Sequence, residues 1–567
     1  MDATSFYGKK ILRHRFLQSA LEKAETIHSD DLDIVILPPQ AAHNDSDEDE
    51  GTEEDCLDED YLPTDVPGEI EIHHDELNNE AEEDMSDENS VSRWRKNESL
   101  TIPMHSNLPS LNGKMKEHLG KDPFEIYELF FTPEMVDYIT EQTNLYANRD
   151  KNDPNFKICS DEMRNFLGLI LVSGYYKLPY ENDYWSTKRS LGAPIFPKTM
   201  CRDRFKRIKR YFHVADNAEL GNSKVAKVET LFNMLREQCQ QFGVFDEFLS
   251  VDESMIPYKG LHSARQFMRS KPVRFGFKMW MLCGSTGYPY NFEIYTGKEA
   301  NRKEPLGEYV VNKMLTAVSD VECHVLFFDN FFTSHRLIAN LANKGIRACG
   351  TVRENRTDRC PLKPSKIIQK EERGSYDYRC DGNVLCVKWN DNRPVTIASN
   401  YYGVTPLHKA ERYVKGEGRK RITQPDAIYK YNKGMGGVDV CDRKLSSYRP
   451  RLRTRKWWWN LFAHALNMSV VAAHEFYKRL NGQKISHHDF RIEIAESLLI
   501  MQRPSRKRSG GHLSGPPKAA RFDGVNHILV STNQGRCLIC FKNTRLKCEK
   551  CEIRLHKSFC SETYHKK

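Results

Sequence analysis

Asp252 stands in the run Phe248-Leu249-Ser250-Val251-Asp252-Glu253-Ser254-Met255-Ile256-Pro257-Tyr258, whose alternation of apolar and polar residues predicts a β-strand. A carboxylate in the middle of a strand is costly unless something pairs with it or binds it. Two later stretches offer company: Leu326-Phe327-Phe328-Asp329-Asn330-Phe331-Phe332 and Gly436-Gly437-Val438-Asp439-Val440-Cys441-Asp442. Three carboxylates cannot stay ionised together without a cation, because like charges raise one another's pKa. Hard divalent ions such as Mg²⁺ or Mn²⁺ resolve the conflict, since they take a few carboxylates together with phosphate oxygens. Two such ions about 4 Å apart would activate a water or a 3′-hydroxyl and stabilise the departing oxygen.

A second group of chemical residues closes the chain. Cys537-x-x-Cys540, Cys548-x-x-Cys551, His556-x-x-x-Cys560 and His565 supply seven potential Zn²⁺ ligands within 29 residues. Paired CxxC thiolates at this spacing suit tetrahedral zinc. So short a segment, with few apolar residues, would hardly fold without metal. Two cross-braced ions need eight ligands, and His527 is the obvious eighth, although it lies farther off in sequence.

The elements that must position the aspartates follow from hydrophobic patterning. Strands are expected over 248–258, 274–283 and 288–296, a helix over 306–318, a buried strand over 323–328, a helix over 334–344 and a strand over 346–352. The order β-β-β-α-β-α-β is that of a ribonuclease-H-like α/β core, in which the first and fourth strands lie side by side. That arrangement would bring Asp252 next to Asp329. Asp439 falls in the first turn of a helix expected over 438–445, after a β-rich insertion, and can reach the same edge.

Around this core the chain divides into a mostly disordered acidic region (1–121), a helical domain in two parts (122–246 and 451–502) and the core in two parts (247–353 and 422–450). The insertion (354–421), a basic linker (503–523) and the Cys-rich zinc domain (524–567) complete it. Residues 1–23 could form one amphipathic helix, and order is expected to begin near Asp122. Helices are expected over 123–131, 132–148 (Thr132 as N-cap, Pro133 at its first position), 163–172, 202–213, 228–242 and 454–479.

Charge narrows the partners. Residues 24–92 contain 26 Asp and Glu and no Lys or Arg, whereas residues 93–567 carry 80 basic and 50 acidic residues. A body that basic behind an acidic arm suits nucleic acid. No secretory signal is expected from the opening residues, and the longest apolar run, near 166–176, is too short for a membrane span. Of 16 Cys, five fall in the last 31 residues and the rest are scattered, which fits a reducing compartment. Arg506-Lys507-Arg508 in the linker fits a nuclear localisation signal. Lys271, Arg274 and Lys278 would stand beside the carboxylates, where a phosphate backbone must pass. Arg449, Arg451, Arg453, Arg455 and Lys456 lead into Trp457-Trp458-Trp459, a pairing suited to a distorted DNA end with an indole stacked on a base. Core packing is the alternative for Trp458 and Trp459.

The runs Ser250–Met255, Lys271–Lys278, Phe328–Ser334, Gly350–Arg353 and Met435–Asp439, in this order, resemble the piggyBac transposase family over about residues 122–567. The resemblance implies a DDD transposase that cuts and pastes DNA at TTAA targets by Mg²⁺-dependent transesterification. Asp252, Asp329 and Asp439 would be catalytic, and Asp442, one helical turn on, would match an additional family carboxylate. Trp457 would lie near the transposon end, His527 matches a family histidine, and the Cys-rich domain would recognise transposon-end DNA. Holding two ends implies a homodimer, with the helical parts 122–246 and 451–502 as its dimerisation and DNA-binding domain. Many family members are domesticated, so a DNA- or chromatin-binding protein without catalysis is the alternative, and a metal-dependent nuclease unable to join strands is a third.

Overall fold

In a computed structural model, the described residues are the backbone of 4–6, 9–14, 32–36 and 70–75, then 94–499 without 109–110, 189, 261, 269–270, 298–303, 415–417 and 483–484, and finally 527–566. They divide into two units, 1–177 with 203–501 and 178–202 with 502–567.

The first unit is organised on one mixed sheet. Strand β1 (Phe248–Pro257) is buried along almost its whole length, so both of its faces are covered. It is followed by β2 (Phe275–Gly284), β3 (Pro289–Ile294), α1 (Leu306–Met314), β4 (Val325–Phe328), α2 (His335–Asn343) and β5 (Arg347–Thr351), the succession expected from the sequence. Across the sheet these strands run β3-β2-β1-β4-β5. The β3–β2 and β2–β1 junctions are antiparallel, and β1–β4 and β4–β5 are parallel. Parallel neighbours need crossovers, and α1 and α2 lie in those connections.

The insertion continues this sheet instead of standing apart from it. Strands β6 (Tyr376–Cys380), β7 (Leu385–Asn390) and β8 (Pro394–Ser399) form a meander, and β8 pairs antiparallel with β5. Only β9 (His408–Val414) and β10 (Gly418–Gln424) make a hairpin of their own. Strand β6 alternates aromatic and charged residues, Tyr376-Asp377-Tyr378-Arg379, and is paired antiparallel with β7.

The N-terminal helix expected over 1–23 is not formed where the backbone is described. Thr4–Phe6 and Lys9–His14 are strands, and Lys9–His14 pairs with Ile70–Asp75. Leu32–Ile36 joins them to the sheet through Ile34 opposite Phe267 of Arg265–Phe267. Cross-strand pairing outranks a weak local helical pattern. The rest of 1–93, expected to lack structure, lies outside the described residues, as does the basic linker up to residue 526. The chain also joins the fold before Asp122: Arg95 bridges to Cys380, and Met115 is fully buried.

The two helical parts of the chain pack together. Pro133–Leu145 is capped by Thr132, with Pro133 in its first turn. Ser160–Tyr175, Arg202–Tyr211 and Ala226–Gln240 follow. After the insertion come α3 (Asp426–Gly434), α4 (Gly437–Ser447), α5 (Trp459–Asn481) and α6 (His487–Leu499). Phe212 packs on Phe462 with ring centroids 4.5 Å apart, and Phe242 stacks on Phe476 at 4.2 Å. Trp458 and Trp459 are fully buried and belong to this core. Among the described residues no helix is long and apolar enough to cross a membrane.

Lys456, expected at the DNA surface, is a structural residue. Its side chain is buried, and its ammonium donates to the carbonyls of Lys209, Arg210 and Phe212 at 2.7–3.2 Å. Those carbonyls close the end of Arg202–Tyr211, where unpaired acceptors and the negative end of the helix dipole favour a cation. Helix α5 begins at Trp459, five residues later than expected.

In the second unit, Tyr184 stacks on Phe196 at 4.3 Å and the Trp185 indole donates to the Met200 carbonyl at 2.8 Å. Leu529–Arg536 and Asn543–Cys548 form an antiparallel hairpin followed by the helix Phe559–His565.

Lys456→Met keeps the aliphatic stem and strands three buried carbonyls. It should lower stability by about 2–3 kcal/mol, which urea unfolding of the purified chain would read. An unchanged midpoint would show that the clamp is dispensable.

Candidate functional site

The parallel register of β1 and β4 sets the site. Val251 lies opposite Phe328, so the next residue on each strand is an aspartate, Asp252 and Asp329. Asp252 is buried, with one oxygen accepting the Glu253 N–H at 2.8 Å. Asp329 follows the last residue of β4, where its Oδ1 accepts the Phe331 N–H at 2.9 Å. Its carbonyl also accepts the Thr333 hydroxyl at 2.7 Å. The turn thus fixes one carboxylate oxygen.

The third aspartate arrives on α4. Gly436 caps this helix with φ of 104°, a left-handed conformation that glycine adopts without strain. Gly437 lies so close to the sheet that a Cβ would stand 2.4 Å from the Gly284 carbonyl oxygen and 2.7 Å from Ser250 Oγ. The helix start is therefore pressed onto β1 and β2. Asp439 is exposed in the first turn, and Asp442, one turn on, accepts the Ser254 hydroxyl at 2.6 Å. Farther along, the Lys444 ammonium pairs with buried Glu475 of α5 at 2.6 Å and donates to the Thr286 carbonyl at 2.6 Å.

Cations occupy the space between the carboxylates. Lys271 Nζ is 3.8 Å from Asp252 and 3.6 Å from Glu253, and it donates to the Glu253 carbonyl at 3.2 Å. Lys278 pairs with the other Glu253 oxygen at 3.7 Å and lies 4.1 Å from the centroid of the Trp280 ring. These two lysines, expected to face DNA, are thus engaged by carboxylates, while Arg274, Arg453 and Arg455 are exposed. Trp457, expected to stack on a base, is only 6% exposed and packs on His262 with ring centroids 4.1 Å apart. An indole so enclosed presents no face to a base.

Crowding is visible in the acidities. Burial pushes Asp252 up to about 8, with Glu253 and Asp329 adding to the rise and Lys271 opposing it. Asp329 is raised by burial and by Glu253. Asp442 is pushed up to about 6 by burial, against the hydrogen bond from Ser254 and the charge of Lys271. Burial alone would lower Lys271, but Asp252, Glu253, Asp439 and Asp442 together hold it above its ordinary value. These are hard oxygen donors of the kind a divalent ion takes, but no three of them lie within 4.8 Å of one another, so an ion would have to draw them together and would favour the ionised form of every carboxylate it touched.

Glu253 and Ser254 are the members the sequence argument missed. A second acidic residue in an otherwise apolar buried strand was the available signal for Glu253, and period-two alternation from Asp252 was the one for Ser254.

Ligand atoms of three or more His, Cys, Asp or Glu residues approach within 4.8 Å of one another at two places among the described residues, both in the C-terminal segment. One set is Cys537, Cys540, His556 and Cys560; the other is His527, Cys548, Cys551 and His565. Each CxxC pair is thus completed by residues lying outside the segment between the two pairs, the interleaving that a cross-brace requires. His527, the most distant in sequence, belongs to the second set, its Nδ1 lying 3.4 Å from Cys551 Sγ and 3.6 Å from Cys548 Sγ. His556 Nδ1 is 3.3 Å from Cys540 Sγ, and its Nε2 lies 3.1 Å from the Asn543 carbonyl, a contact that orients the ring. Burial would raise the Cys537 thiol, but backbone N–H groups of Cys540, Ile539 and His556, with the His556 ring, bring it down to about 6. Cys₃His and Cys₂His₂ are donor sets of structural zinc.

A family model described as Transposase IS4 matches residues 122–474. The human PiggyBac transposable element-derived protein 3 is 36% identical over 78% of this chain and 76% of its own length. The human PiggyBac transposable element-derived protein 2 is 32% identical over 74% of this chain and 72% of its own. Among solved structures, the chain is similar to one in a cryo-EM structure of the piggyBac transposase synaptic complex with hairpin DNA. There the TM-score is 0.59 at 21% identity, covering 77% of this chain and 96% of that one.

A carboxyl raised from 3.8 to about 8 binds a proton in the folded chain that the unfolded chain lacks across that interval. Its contribution to stability is therefore present at low pH and lost as pH rises toward 8. Without added divalent ions, Asp252→Asn should gain in melting temperature over wild type between about pH 5 and pH 8. Mg²⁺ at pH 8 should restore wild type and not the variant. Parallel pH profiles in thermal unfolding would refute this account of the site.

Proposed function

The chain belongs to the piggyBac transposase family, and we propose that it acts as a DNA transposase, cutting double-stranded DNA at transposon ends and joining those ends to target DNA. The observation that carries this reading is the β1–β4 register, which aligns Asp252 with Asp329 while α4 brings Asp439 and Asp442 to the same lysine. The strand order β3-β2-β1-β4-β5, two antiparallel junctions then two parallel, supports a ribonuclease-H-like catalytic core.

Asp252, Asp329 and Asp439 would hold Mg²⁺, or Mn²⁺ in its place, and Asp442 would hold the α4 face against β1 through Ser254. Divalent ions bound there supply Lewis acidity toward a phosphodiester and its attacking oxygen. The chain itself contributes placement. The Asx turn fixes one Asp329 oxygen, and Gly437 sets the depth of α4. Exposed Arg274, Arg453 and Arg455 offer charge to a passing phosphate backbone. A neighbour solved as a synaptic complex with hairpin DNA supports DNA as the partner. Two ends held together imply a homodimer, and the TTAA target is carried by the family resemblance. The run Arg506-Lys507-Arg508 fits action in the nucleus. The Cys/His module is proposed to hold two structural Zn²⁺ ions and to contact end DNA.

On DNA carrying transposon ends, the purified chain should nick only with Mg²⁺ or Mn²⁺, and Asp252→Ala should reduce the rate on the order of 10³-fold. Absence of nicking by wild type, or full nicking by the variant, would overturn the reading. Relatives named as transposable element-derived favour a second reading, a DNA- or chromatin-binding protein without catalysis. That role predicts Mg²⁺-independent binding and no cut product.

The two Cys/His sets share no ligand. Metal analysis should find two zinc ions per chain, one after His527→Ala and one after Cys560→Ser. Loss of both ions in either variant would argue against independent sites.

A further inference from the structure

Five carboxylates, Asp252, Glu253, Asp329, Asp439 and Asp442, are linked electrostatically to two ammonium groups, Lys271 and Lys278. The two lysines are not equivalent. Lys278 is held by Glu253 and by the faces of Trp280 and Phe331, at 4.1 and 5.1 Å from the ring centroids. Lys271 is shared. It bridges Asp252 and Glu253 from a segment outside the strands, and the charges of Asp439 and Asp442 on α4 also act on it.

We propose that Lys271 is the internal counter-cation of the aspartate set, a positioning residue that divalent ions must displace from Asp252 in order to bind. This rests on the proposed function, in which those aspartates hold the ions. The ammonium lies within ion-pair distance of an oxygen that the reading gives to the metal. A dication and an ammonium cannot share that oxygen closely, because their repulsion is strong where water is scarce. The geometry also shows where Lys271 can remain when it leaves Asp252. Glu253 holds it through both a carboxylate oxygen and the backbone carbonyl, so a small swing releases Asp252 and leaves the lysine beside the site. There its charge is available to a substrate phosphate. Lys271 thus keeps the crowded carboxylates folded in the ion-free chain and sets a threshold for loading.

The test is Mn²⁺ binding to the zinc-loaded full-length protein, read by the loss of the free-ion electron paramagnetic resonance signal. Lys271→Gln should bind Mn²⁺ on the order of 10-fold more tightly than wild type, while Lys271→Arg, which keeps the charge, should bind as wild type does. A lysine that merely supported the local fold would loosen the site when removed, and tightening is the opposite sign. Lys271→Met serves as a second neutral variant, with the melting temperature confirming that each protein is folded. Unchanged or weaker Mn²⁺ binding in folded Gln and Met variants would overturn the proposal, as would equal tightening by Arg. Asp252→Asn separates this failure from that of the underlying reading. If it binds Mn²⁺ as wild type does, the aspartates do not hold the ion and the proposed function loses its metal site.

Discussion

Everything at the centre of this fold answers to one constraint: several carboxylates have to be kept close together in a place with little water. Like charges raise one another's proton affinity, and burial adds to the effect, which is why Asp252 is pushed up to about 8 and Asp442 to about 6. Left alone, such a cluster would protonate or spring apart. The structure restrains it in three ways. Strand pairing fixes Asp252 and Asp329 in register, hydrogen bonds from Phe331 and Ser254 occupy one oxygen each of Asp329 and Asp442, and Lys271 and Lys278 supply positive charge. The strand pairing serves the fold in any case, but the two hydrogen bonds and the two lysines answer to the carboxylates themselves. Their presence therefore points to chemistry that requires them.

Much of this was legible in the sequence because its signals are local. Buried strands such as Val325–Phe328 read as continuous apolar runs, and helices such as Pro133–Leu145 announce themselves by cap and proline. The same holds for the CxxC pairs, where spacing alone names the ligand. What escaped depends on long-range contacts. Lys456 looks like part of a basic run, yet three carbonyls more than 240 positions away bury it. Trp457 looks like a platform for a base, yet His262 covers it. Charge and aromaticity describe what a side chain can do, and only packing decides whether solvent or a ligand can reach it. The N-terminal strands were missed for a related reason: Lys9–His14 is ordered by a partner strand and not by its own periodicity.

The Cys-rich module shows the opposite balance. Its core consists largely of the ligands themselves, with Cys537, Cys548, Cys551 and Cys560 buried beside Ile553, Leu555 and Tyr564. So small an apolar cluster offsets little conformational entropy, which makes bound metal the main source of cohesion. Interleaved ligand sets then matter physically. Because residues before and after the two CxxC pairs are drawn to the same two centres as the pairs themselves, the whole of 527–565 is ordered by two binding events.

The third aspartate carries the argument beyond the sheet. Asp252 and Asp329 owe their alignment to strands of the core itself, but Asp439 stands on a helix that returns only after the insertion has ended. Nothing in strand pairing places it. Its position depends on the turn at Gly436, on the bare Cα of Gly437 against the Gly284 carbonyl, and on the Lys444–Glu475 pair that ties α4 to α5. Helix α5 is in turn packed against helices from the first half of the chain through Phe462 and Phe476. The site is therefore completed by the helical body as well as by the sheet. A shift of α5 against the sheet would move Asp439 relative to Asp252, so that packing far from the carboxylates controls how well they can share an ion.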